Sequence, residues 1–164
     1  MARPQMLVFT YHKAGTTLFH YTLRKLAERL NLRLATLFGM ARKIDPAIDI
    51  VLLGHSLPGF QIARSFRAIR VVRDPRDIWV SSYLYHRRTD EAWCTNTDFD
   101  QTAPITWPRV DLSFQHRPEP WKREWLSRLS GKSYQQNLLL RDQEAGLQFE
   151  LDGYTACTLD AMRA

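Results

Sequence analysis

The residues able to do chemistry gather in three short polar clusters: Lys13-Ala-Gly-Thr-Thr17, Gly54-His-Ser56 and Arg73-Asp-Pro-Arg-Asp77, with Ser81 eight residues beyond Arg73. The first cluster has the makings of an anion cradle. Gly15 lets the backbone turn tightly, and the first N–H groups of a following helix would point at a ligand. The helix dipole favours negative charge there, Lys13 adds a full positive charge, and Thr16 and Thr17 add hydroxyl donors. This is not the nucleoside triphosphate pattern G-x-x-x-x-G-K-[ST], because the leading glycine is missing and Lys13 precedes Gly15. In the third cluster Arg73 offers a planar fork that matches a phosphate bidentately. Ser81, about two helical turns on, can turn its hydroxyl to the same side. Each cluster also has a structural reading: an ordinary turn and N-cap at Gly15, an Arg73–Asp74 ion pair at a helix start, and a small packing residue at Ser81.

The surrounding pattern supplies elements to carry these clusters. Met6-Leu-Val-Phe-Thr10 reads as a strand, with Pro4 just before it. Phe19, Leu23, Leu26 and Leu30 recur at helical spacing and predict an amphipathic helix to about Asn31. Ile50–Leu53 and Ala68–Val72 read as two further strands. Asp74 as N-cap, Pro75 at the first helical position and Asp77 in the first turn predict a helix directly after the second of them. Apolar strands alternating with helices imply an α/β fold, a three-layer parallel sheet with helices on both faces. Ligands of such sheets gather at the carboxyl ends of the strands, where all three clusters fall.

The second half is less periodic. Residues 89–120 are polar and hold Pro104, Pro108, Pro118 and Pro120, which predicts a long ordered loop. Pro120 opens a helix over Trp121–Leu129 that Gly131 ends. Ser133 and Gln136 form a capping box for another, which Gly146 ends. Thr158 reads as the cap of a last short helix, Leu159–Met162, too short to stand alone, so the chain is expected to be cut within its domain.

Composition narrows the class. With 164 residues, 45% hydrophobic and 24% charged, the chain suits one globular domain and excludes wholesale disorder, collagen-like repeats and a coiled coil. Its longest apolar runs fall far short of the roughly 20 residues of a membrane helix. No secretory signal is read at the N-terminus, and Cys94 and Cys157 make neither a metal pattern nor a disulfide framework, so a reducing, cytoplasmic setting is expected. Residues 1–90 carry 15 basic and 6 acidic side chains, whereas residues 91–164 carry 8 and 11. The basic half implies an anionic partner.

Together the first and third clusters carry a resemblance. Tyr11-His-Lys-Ala-Gly-Thr-Thr17 resembles the 5′-phosphosulfate loop, P-K-[SA]-G-T-[TS]-W, of the sulfotransferases that use 3′-phosphoadenosine 5′-phosphosulfate (PAPS). Arg73-Asp-Pro-Arg-Asp-Ile-Trp-Val-Ser81 resembles that family's 3′-phosphate motif, R-[ND]-P-x-D-x-x-x-S. The likeness spans roughly residues 5–88. It implies a P-loop nucleotide-hydrolase-like fold, incomplete here at the C-terminus, with a donor-binding half over 1–88 and an acceptor-side half over 89–164 of a single domain. It further implies sulfuryl transfer from PAPS to a hydroxyl or amine, leaving 3′,5′-adenosine bisphosphate, without a metal. Lys13 would stabilise the leaving phosphate; Lys13, Ala14, Gly15, Thr16 and Thr17 would hold the 5′ end, and Arg73 and Ser81 the 3′-phosphate. The acceptor must lose a proton, and His55 is the candidate base, with a structural role as its alternative. His12 stands where the family often has proline, and Leu18 where it often has tryptophan. The family's later basic, glycine-rich loop has no counterpart here.

Residues 89–120 would build the acceptor site for a small-molecule, carbohydrate or lipid acceptor. Trp79, Tyr83, Tyr85, Trp93, Trp107, Trp121 and Trp125 either line it or form core. No nucleic acid and no membrane span are expected, and a homodimer is left open. Two other readings compete. One is a phosphate-loop kinase acting on a small molecule, which would need metal-binding carboxylates beyond Asp74 and Asp77. The other is a non-catalytic anion- or nucleic-acid-binding remnant, which would need its basic residues in one stripe interleaved with aromatics.

Overall fold

In the computed structural model, which describes residues 3–38, 41, 43–55, 61–97 and 118–163, β1 (Gln5–Thr10) lies inside a four-stranded sheet. It is followed by α1 (Thr16–Leu30), β2 (Leu34–Phe38), β3 (Ile50–Gly54) and β4 (Phe66–Arg70). The strand order is β2-β3-β1-β4 and every pairing is parallel. The apolar runs of β1 and β3 are buried on both faces, as internal parallel strands require. Val8, Ile50 and Leu52 pack with Leu23 and Ala27 of α1 on one face, while Leu7, Val51 and Leu53 pack with Ala41, Ile44, Ile48 and Ile62 on the other. The α/β expectation with a parallel sheet is therefore observed. One strand, β2, goes beyond the sequence reading, and β4 runs two residues earlier than Ala68–Val72. Its register aligns Gln5 with Phe66 and Phe9 with Arg70.

The chain divides into two compact units, Met1–Arg73 and Asp74–Ala164. The second is helical among the described residues: α2 (Pro75–His86), α3 (Ala92–Thr95), α4 (Glu119–Leu129), α5 (Tyr134–Leu139), α6 (Gln143–Glu150), a π-type turn (Leu151–Thr155) and α7 (Ala156–Arg163). Aromatic rings dominate its core. Tyr83, Trp93, Trp125, Tyr134 and Tyr154 are buried together, Trp93 stacks on Tyr154 at 4.9 Å, and Trp121 packs against the cluster. At its centre the Glu150 carboxylate accepts from the Tyr134 hydroxyl at 2.8 Å and the Thr155 hydroxyl at 3.0 Å, and its other contact is His86 Nδ1 at 2.9 Å.

Helix boundaries here depart from the sequence reading in three places. The capping box of Ser133 and Gln136 forms, but α5 stops at Leu139 and Asp142 caps a separate helix, α6, that runs straight through Gly146. Gly146 is needed for packing, because a Cβ there would meet Tyr83 Cε2 at 2.8 Å. α4 is closed by Ser130 in the left-handed region, one residue before Gly131. Thr158 lies buried inside α7 rather than capping it, because the backbone turns continuously from α6 through a kink at Gly153. Of the loop expected over 89–120, Ala92–Thr95 is helical, and residues 98–117, including Trp107, lie outside the described residues.

Candidate functional site

Residues 11–15 join β1 to α1 in a tight turn. The Ala14 N–H donates to the Tyr11 carbonyl at 3.0 Å, and the Thr16 hydroxyl donates to the same oxygen at 3.2 Å. Two positive φ values shape the turn, 57° at Lys13 and 92° at Gly15, with buried Ala14 between them. At Gly15 the geometry suits glycine alone; at Lys13 a side chain holds a conformation that L residues avoid. Gly15 caps α1 without any side-chain bond, and no acidic residue stands in the first turn. The positive end of α1 thus falls at Thr16, Thr17 and Leu18, with no acidic side chain in the first turn itself.

The β3 end reaches the same place. The His55 N–H donates to the Thr10 carbonyl at 2.9 Å, continuing the β1–β3 ladder one residue past Gly54. His55 has φ 53°, and its Nε2 lies 3.4 Å from Thr16 Oγ1. Its ring meets the buried His12 ring edge-on at 5.5 Å and the Phe38 ring at 6.2 Å. Gly54 makes this approach of β3 to α1 feasible, since a Cβ there would lie 3.2 Å from Thr16 Cγ2 and 2.6 Å from the Phe38 ring.

Arg73, the last residue of the first unit, donates from its guanidinium to the Lys13 carbonyl at 3.0 Å. The first unit therefore brings together Lys13, Ala14, Gly15, Thr16, Thr17, His55 and Arg73. Ser81 is half-buried in the middle of α2, in the second unit. Asp74 caps α2 as expected, accepting from the Arg76 N–H at 2.9 Å, and it ion-pairs with Arg76 at 2.7 Å. The Arg76 side chain, followed by its backbone N–H, holds the Asp74 carboxyl down at about 2.

None of the family models, curated proteins or solved structures compared with this chain matches it.

Two contributors escape the sequence reading. Tyr11 is buried, and its hydroxyl accepts from Arg70 Nε at 2.8 Å, with the guanidinium carbon 5.4 Å from the ring centroid. The available signal is a charged residue interrupting an apolar strand at Arg70. Of the aromatic residues weighed as acceptor lining, Tyr83, Trp93 and Trp125 are core of the second unit, and Trp79 donates to the Leu147 carbonyl at 2.7 Å. Among the described residues, no group of three or more His, Cys, Asp or Glu is placed to hold a metal ion, and no helix is long and apolar enough to cross a membrane.

Proposed function

We propose that this chain binds the 5′ end of PAPS at the Lys13–Thr17 turn and serves transfer of its sulfuryl group to an acceptor hydroxyl or amine. The observation that carries the reading is the strand–turn–helix itself: Gly15 at φ 92°, a helix start with neither a side-chain cap nor an acidic residue, and Lys13 within the turn. These features fit a polyanionic ligand. The same reading takes the sheet as part of a P-loop-like, three-layer fold.

The donor, when bound, supplies a sulfuryl group activated by its 5′-phosphate. The chain's own residues do the rest. First-turn N–H groups and the Thr17 hydroxyl would hold anionic oxygens, and the Lys13 charge would stabilise the leaving phosphate. Each preorganised donor of this kind is worth about 2.7–4 kcal/mol where charge develops. His55, beside Thr16, takes the acceptor's proton.

The test is a pair of titrations, with 3′,5′-adenosine bisphosphate and with ATP–Mg²⁺, followed by PAPS turnover on a panel of hydroxyl and amine acceptors. We expect tighter binding of the bisphosphate and loss of turnover in Lys13→Ala with its circular dichroism unchanged. Tighter binding of ATP–Mg²⁺ would replace this reading with the kinase one. Ser81→Ala tests the 3′-phosphate role that the resemblance implies, through a weaker affinity for the bisphosphate.

A further inference from the structure

The turn that carries Lys13 is held from one side by two arginines three residues apart. Arg70, the last residue of β4, bonds the Tyr11 hydroxyl at 2.8 Å and lies over its ring; Arg73 bonds the Lys13 carbonyl at 3.0 Å. Tyr11 is the hub of this arrangement. Its carbonyl takes the Ala14 N–H and the Thr16 hydroxyl, so both ends of the turn are tied to one residue. Tyr11 is itself 5% exposed, so its ring is fixed by packing. Lys13 at φ 57° persists only where its surroundings over-determine the backbone, and these contacts supply that restraint.

We propose that Arg70 and Arg73 are positioning residues: through Tyr11 and the Lys13 carbonyl they clamp the turn in its anion-receiving conformation before any ligand arrives. A guanidinium suits this task, since its donors are held in a rigid plane that can bond an oxygen and lie over a ring at once. Preorganisation of this kind lowers the ordering cost of binding without the arginines touching the ligand. The nature of the ligand rests on the PAPS reading above; the clamp itself does not.

The experiment is amide hydrogen exchange of the full chain without ligand, comparing wild type with Arg70→Gln, Arg73→Gln and Tyr11→Phe. Loss of one such bond should speed exchange at the Ala14 amide, which the turn holds to the Tyr11 carbonyl, about three- to tenfold, while the β1 and β3 amides keep their protection. Tyr11→Phe keeps the ring and its burial, so it reports even if an arginine variant fails to fold. A purely electrostatic role of the arginines would leave Tyr11→Phe unchanged. Unaltered exchange in all three variants overturns the clamp.

Adenosine 5′-monophosphate and 3′,5′-adenosine bisphosphate then separate a clamp from a direct ligand. Under the clamp, Arg73→Gln weakens both by the same factor; a loss confined to the bisphosphate would make Arg73 a 3′-phosphate ligand and overturn its positioning role. If wild type binds neither nucleotide, the PAPS reading falls, and faster exchange in the variants still upholds the clamp.

Discussion

His55 occupies the left-handed region at a strand end, a position that costs a non-glycine residue about 1–2 kcal/mol. Its backbone extends the ladder to Thr10 while its ring sits beside Thr16. Asparagine tolerates the same φ, so His55→Asn isolates the imidazole from the backbone. We expect that variant to melt near wild type and to transfer sulfuryl groups about 10²–10⁴ times more slowly. Turnover at the wild-type rate would remove His55 from the reaction. At this scale the Gly15 turn was readable from residue types alone, because a glycine between a strand and a helix has few other uses. The bond of Arg73 to the Lys13 carbonyl was not: a contact across 60 positions leaves no mark on either residue type.

The elements show the same division. β1, α1, β3 and α2 announce themselves through apolar runs, helical spacing and the Asp74-Pro75 cap. β2 does not, since Leu34–Phe38 follows α1 closely and is only partly buried. Gly146 misleads because glycine more often ends a helix than lines one, and the reason it lines α6 is a tyrosine 63 positions earlier. The Asp74 cap has a pH signature. Bonding to Arg76 lowers its carboxyl from 3.8 to about 2 in the folded chain, so the unfolded chain takes up the proton more readily. The stabilisation is complete above pH 3.8 and is lost as pH falls towards about 2. We expect Asp74→Asn to flatten the acid limb of stability in that window, as read by urea midpoints. In the helical unit, Glu150→Ala would strip His86, Tyr134 and Thr155 of a shared buried acceptor. That should cost about 3–5 kcal/mol, visible as an earlier denaturation midpoint with loss of near-UV signal from the packed aromatics.

Across the whole molecule, charge follows the division into units. Residues 1–73 hold 12 basic and 3 acidic side chains, and residues 74–164 hold 11 and 14. An anion arriving at the first unit is drawn by that excess as well as by the turn. Raising salt from about 0.05 to 0.5 M shortens the screening length from about 14 to 4 Å, so bisphosphate affinity should fall while the melting temperature changes little. An affinity independent of salt would place the ligand away from this field. The basic excess was legible in the sequence as an anionic partner; that all of it falls within one compact unit, Met1–Arg73, needed the coordinates.

β4 bonds only to β1 among the described residues, and Phe66 and Ile69 on it are about half exposed, at 46% and 48%. A bare outer strand of this sort is a template on which other chains can stack into fibrils. Arg67 and Arg70 interrupt it with like charges that repel an incoming copy. The arginine that steadies Tyr11 thus stands where a gatekeeper would, and neutralising the pair should raise the chain's tendency to amyloid-like growth.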